Sequence, residues 1–311
     1  MIDLEDIKAA QSKIRDAVRH TPILQVSQWR DPLPCPVTLK LELHQVTGSF
    51  KARGAMNRVR RLTPAQLTHG LVTASGGNHG LAIARTGYVA GVPTKIFLPT
   101  NVAADKIPKF KGWSADIDII GMDFDEANRH ALAYAEKTGA TYVHPFADAD
   151  VVAGQGTLGL EILEDMPDIH VVLVAIGGGG LAAGLGTAIK ALRPDVRVIG
   201  IEPVGAPTLH AALAAGHVVT LDKIETCVPT MAARRTNDDV FKLIRDSLEQ
   251  VVLVSDDDMR KAAKSLWFEN GIAADLSGAA AIAALQSGAF CPDPKERVCA
   301  IVCGAGNDGQ S

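Results

Sequence analysis

Residues 40–55 read KLELHQVTGSFKARGA, and the rest of the chain is organised around Lys51 within them. Val37, Leu39 and Leu41 alternate with Thr38, Lys40 and Glu42, the period of two that marks a strand. Thr47-Gly48-Ser49 is a polar turn with a permissive glycine. Phe50-Lys51-Ala52-Arg53 then opens a helix for which Ser49 is the expected N-cap. A lysine at a strand–turn–helix junction sits where α/β proteins form ligand pockets. Phe50 and Ala52 would give its amine apolar walls, and desolvation leaves more of the neutral amine that forms a Schiff base. Taken alone, these residues fit a solvated lysine on a first helical turn equally well.

At 311 residues, 47% hydrophobic and 21% charged, the chain suits two globular domains with ample core. A net charge of −4 supplies no basic field, so nucleic acid is not an expected partner. The five cysteines lack metal-ligand spacing and read as reduced thiols. The N-terminal MIDLEDIKAAQSKI is acidic and amphipathic, unlike a signal peptide, and no apolar run is long enough to span a membrane. The expectation is a cytoplasmic protein.

Strand and helix patterns alternate along the chain. Leu71–Ala74 is a buried strand that runs into Ser75-Gly76-Gly77-Asn78-His79-Gly80, and Leu81–Val89 reads as the following helix, closed by Gly91. A short glycine loop feeding a helix N-terminus presents free N–H groups to a carboxylate or phosphate. Two βα units follow, the first with a helix capped by Asn101. His170–Ile176 is almost continuously apolar, as in a strand buried in a parallel sheet, and ends in Gly177-Gly178-Gly179-Gly180 before the helix Leu181–Leu192. That loop reads as a phosphate cradle.

Gly177, Gly179 and Ala182 also fit G-x-G-x-x-A, with Glu202 ending the next strand where a ribose-binding acid would stand. A dinucleotide site is therefore a second reading, though it gives Lys51 and the 75–80 loop no role. The stretch 203–236 resists local reading. Val251–Val254 is a strand, Asp275-Leu276-Ser277 precedes an Ala-rich helix, and Val298–Val302 is the last strand, leading into Cys303. The fold class is α/β with mostly parallel strands.

TGSFKARGA (47–55), SGGNHG (75–80), GGGGL (177–181) and CGAGN (303–307), in this order, resemble the pyridoxal-phosphate (PLP) serine/threonine dehydratases. These belong to the fold type II group built like the tryptophan synthase β chain. The resemblance covers essentially the whole chain and implies two open twisted, mostly parallel sheets flanked by helices. It implies a large PLP-binding domain from residues 1–67 and 146–311, a small substrate-binding domain from 68–145, and no C-terminal regulatory domain. Lys51 looks like the lysine that holds PLP and moves protons at Cα, with Phe50 against the ring. Ser75, Gly76, Gly77, Asn78 and His79 resemble the substrate-carboxylate loop, Asn78 also matching the residue bonded to the PLP 3-oxygen. Gly177, Gly178, Gly179 and Gly180 match the phosphate loop, and Cys303 the group facing the pyridine nitrogen.

Three departures stand out. Gly76 replaces the second serine that serine racemases carry as a base. The cation site keeps Glu202 and Ala206 but has Thr208 where an acid is expected, so no metal is assigned. TCVPTMAARRT (226–236) puts Thr230 at a glycine position near the cofactor. The expected activity is β-elimination from a β-hydroxy-α-amino acid (serine or threonine, hydroxyaspartate, an aryl-serine) to a 2-oxo acid and ammonia. The alternatives within the fold are a racemase or a β-replacement enzyme, and the resemblance implies a homodimer.

Overall fold

The computed structural model describes residues 1–26, 29–100, 102, 104–122 and 124–310, so the expected Asn101 cap lies outside the described residues. Among the described residues ten strands are present: β1 (Ile23–Val26), β2 (Val37–Lys40), β3 (Leu71–Ala74), β4 (Thr94–Leu98), β5 (Asp116–Ile119), β6 (Thr141–Tyr142), β7 (Val171–Ala175), β8 (Arg197–Pro203), β9 (Gln250–Val254) and β10 (Val298–Ile301). They form a six-stranded sheet ordered β1-β2-β10-β7-β8-β9 and a four-stranded sheet ordered β5-β4-β3-β6. Every pairing is parallel except β1 with β2. Helices flank both sheets, as the alternating pattern requires.

β7 shows why its sequence is apolar throughout. It pairs with β10 on one side and β8 on the other, and Val171, Val172, Leu173 and Val174 are all 0% exposed. A strand covered on both faces has no position for a polar side chain.

Ser49 does not cap the helix after β2. It is extended, Phe50 takes the N-cap position without a side-chain bond, and the helix runs Lys51–Val59. Thr47 and Gly48 make the preceding turn in left-handed backbone, φ 64° and 79°. For a β-branched threonine that conformation is strained, and the surrounding contacts must hold it.

Below the first turn of this helix lies a buried ion network. Arg53 donates to Glu42 at 2.7 and 2.8 Å and to Glu161 at 2.6 and 2.9 Å. Lys40 of β2, 0% exposed, reaches Glu161 at 3.1 Å and Asp165 at 2.7 Å, and His20 meets Asp165 at 2.8 Å. Charges this deep persist only when paired and fully hydrogen-bonded. The network ties the helix of Lys51 to the helix Ala149–Asp165 and to β2.

Candidate active site

Lys51 is the first residue of the helix Lys51–Val59. Its Nζ donates to the Pro145 carbonyl at 2.7 Å and lies 5.1 Å from the centroid of the Phe50 ring. Burial pushes the amine down to about 8, with the neighbouring Cys303 opposing the shift. Two histidines share the region and are neutral. Burial first, and the Lys51 charge second, holds His79 down to about 3 and His144 to about 4. His144 Nδ1 accepts the backbone N–H groups of Phe146 and Ala147, so its proton is assigned to Nε2.

Ser75, Gly76 and Gly77 leave the end of β3, and Asn78 opens the helix Asn78–Ala90, three residues earlier than its pattern suggested. Ser75 to Asn78 are half-buried, and the Gly77 N–H donates to Ser75 Oγ at 3.2 Å. His79 turns away: it is 3% exposed and bonds the Val143 carbonyl at 3.0 Å through Nε2.

Gly177–Gly180 leads from β7 into the helix Gly180–Leu192, and among the described residues none of its four N–H groups finds an acceptor. The glycines also answer to packing. A Cβ on Gly178 would lie 2.2 Å from the Phe146 ring, and Gly179 has φ 96°. Cys303 follows β10, its carbonyl accepting the Phe50 N–H at 3.3 Å and its sulfur 3.7 Å from Ser277 Oγ. Burial, then the charge of Asp275, pushes the thiol up to about 12, so it keeps its proton.

These groups close a ring around a cleft. Lys51 meets Pro145; Phe146 packs on Gly178; Thr230 faces Gly177 with its carbonyl and Gly77 with its methyl; Asn78 meets Asp275; Asp275 meets Ser277; and Ser277 meets Cys303 beside Lys51. Four of the members escaped the sequence reading: Pro145, Phe146, Asp275 and Ser277. The N-cap pattern at 275–277 was the one local signal for the last two.

Glu202 stands apart from the cleft. It is 0% exposed, and its two carboxylate oxygens accept the Leu209 and His210 N–H groups at 2.8 and 2.9 Å, capping the helix Thr208–Ala215. Burial pushes it up to about 8 despite these bonds. A carboxylate so enclosed is not offered to a ribose, and the dinucleotide reading fails on it. At the expected cation positions, Glu202 spends both oxygens on backbone N–H groups and the Thr208 hydroxyl donates to the Ala233 carbonyl.

A family model described as "Pyridoxal-phosphate dependent enzyme" matches residues 14–304. The chain belongs to that family. The family's cofactor, pyridoxal phosphate, is therefore the cofactor of this chain. An L-threonine ammonia-lyase of Thermotoga maritima is 38% identical over 307 residues, 99% of this chain and 76% of the relative. Among solved structures, the processed form of threonine deaminase isoform 2 from Solanum lycopersicum superposes with TM-score 0.91 at 35% identity, covering 97% of this chain and 88% of that one. Maize serine racemase gives TM-score 0.93 at 31% identity, covering 97% and 93%. Both the fold type II architecture and the two mainly parallel sheets expected from the motifs are present.

Proposed function

We propose that this chain is a PLP-dependent lyase that removes water from threonine or serine, yielding a 2-oxo acid and ammonia. The observation that supports the proposal is the buried Lys51 amine, bonded to the Pro145 carbonyl, with Phe146 next in sequence packed on a glycine loop of unpaired N–H groups and Cys303 beside the amine. The relatives named as threonine ammonia-lyases and deaminases support the substrate.

The residues suit the cofactor. Gly177–Gly180 would take its phosphate, since a dianion is stabilised by free N–H groups at a helix start. Asn78 would meet the 3-oxygen, Phe50 the ring face and Cys303 the ring nitrogen. When bound, PLP withdraws electrons from the substrate Cα and so eases loss of the Cα proton. Lys51 Nζ would take that proton as general base, a role suited to an amine held near 8. The loop Ser75–Asn78 holds the substrate carboxylate by backbone N–H groups at the start of its helix. Cys303 is a weak hydrogen-bonding group without negative charge, so it would not hold a ring proton as a carboxylate in direct contact would.

The test is incubation with L-threonine and L-serine, assaying 2-oxo acid and ammonia beside chiral analysis of the unreacted amino acid. Steady oxo-acid release with little inversion is expected. Rapid inversion with little oxo acid would replace this reading by a racemase.

A further inference from the structure

The carboxylate of Asp275 joins two groups that face the cleft from opposite sides. One oxygen, Oδ2, accepts the Asn78 amide N–H at 3.1 Å; the other, Oδ1, accepts the Ser277 hydroxyl and the Gly278 N–H, each at 2.6 Å. Ser277 Oγ in turn lies 3.7 Å from Cys303 Sγ. Backbone contacts hold the carboxylate in place: Asp275 N–H donates to the Gly304 carbonyl at 3.0 Å, and a bridge pairs Ala274 with Ala305. The room needed is made by Gly304, where a Cβ would come within 2.5 Å of Oδ2 and 3.0 Å of the Asn78 nitrogen.

We propose that Asp275 is a positioning residue for the cofactor, orienting the Asn78 amide with one oxygen and the Ser277–Cys303 pair with the other. The inference rests on the proposed roles of Asn78 and Cys303 as cofactor contacts. Burial raises the Asp275 pKa, but three donors converge on its two oxygens and favour the ionised form, which only accepts hydrogen bonds. It therefore forces the amide nitrogen of Asn78 toward itself and leaves a second N–H for an acceptor in the cleft. Without that partner the amide flips freely, and in half of its orientations it turns a carbonyl oxygen on the electron-rich 3-oxygen. On the other side, the Ser277 hydroxyl spends its one proton on Asp275. Its oxygen is then an acceptor for the Cys303 thiol, which fixes the sulfur in place. The bond to Asn78 also links the helix after β3 to the helix Leu276–Gln286, which serves the other sheet.

The experiment uses the PLP-loaded full chain and its Asp275→Asn, Asp275→Ala and Asn78→Ala variants. It measures the PLP dissociation constant and the pH titration of the visible absorption of lysine-bound PLP. Asp275→Asn keeps a side-chain oxygen to cap the helix, so it carries the test if Asp275→Ala does not fold. The expected result is PLP affinity weaker by about tenfold or more and a displaced titration midpoint, with the Asn78→Ala, Asp275→Ala double variant little worse than either single one. Wild-type affinity and midpoint in Asp275→Asn would overturn the proposal. So would strict additivity, or a lowered melting temperature with unchanged spectra, which is the signature of a helix cap alone. A wild type without borohydride-reducible visible absorption would instead remove the PLP-site reading itself and this inference with it.

Discussion

Lys51 Nζ and the Pro145 carbonyl, 2.7 Å apart, join two segments separated by 94 positions in sequence. The carbonyl gives the amine a neutral acceptor, so the charge is hydrogen-bonded but not paired with a carboxylate. Lys51→Ala is expected to abolish turnover and the reducible visible absorption together, because covalent anchor and base are one group. Retention of a borohydride-fixed chromophore in this variant would assign the anchor to another lysine.

The same lack of a counter-charge makes a stability prediction for the cofactor-stripped protein. The folded pKa of Lys51, about 8, lies below its ordinary 10.5, so between those values the unfolded chain binds more protons. Stability contributed through this group therefore rises with pH across that window. Lys51→Met should stabilise the stripped protein below pH 8, by about 1–3 kcal/mol, and the gain should fade as the pH approaches 10.5. Denaturant titrations of both proteins at several pH values check this; a gain independent of pH would mean that the amine is not desolvated.

Arg53 lies two positions beyond Lys51 and is buried with Glu42 and Glu161. Arg53→Met would leave both carboxylates without their main partner, at a cost of about 3–5 kcal/mol. Glu161→Gln should cost less, since Arg53 keeps Glu42 and the amide oxygen still accepts. Chemical unfolding of the two variants gives the order; equal losses would mean that the network is wetter than its burial indicates.

Gly76→Ser tests the reaction outcome. A Cβ at Gly76 would meet a Val102 methyl at 3.0 Å and Pro99 at 3.6 Å, so the serine fits only if Val102 yields by a few tenths of an ångström. Racemisation of recovered substrate should rise, and should rise further with Val102→Ala beside it. Unchanged inversion in both variants would show that a second base is not what wild type lacks.

Cys303→Ser should keep elimination, and Cys303→Asp should lose most of it. A carboxylate there would favour a protonated ring nitrogen, which the thiol does not, and so draw the reaction away from elimination. Equal oxo-acid rates in wild type and Cys303→Asp would remove the role given to the thiol.

What the sequence disclosed depended on how local each signal was. The two glycine loops and Cys303 follow strands that are apolar almost throughout, so their positions at strand ends were legible, while Lys51 was marked by the alternating β2 and the polar turn before its helix. Glu161 and Asp165 lie on a helix that read only as close packing, and nothing local distinguishes a carboxylate aimed at Arg53 from one aimed at water. Pro145, Phe146 and Asp275 acquire their roles from contacts across the cleft. The two-residue β6 is too short to leave a period, and the edge strand β1 is exposed along most of its length, so no buried face patterns it. Glu202 misled because its place at the end of β8 suits a ribose ligand, while its neighbours' backbone claims both oxygens.

The position of β10 bears on when the protein becomes able to work. It lies between β2 and β7, near the middle of the six-stranded sheet, yet it is the last strand in the chain. During synthesis, β2 and β7 must wait for residues 298–303 to clear the ribosome before the gap between them closes. The Lys51 amine and the Gly177–Gly180 loop flank that gap, so neither has its final neighbours until then. Cofactor capture should thus be a late event in biogenesis, and ribosome-bound chains stalled before Val298 should fail to retain PLP.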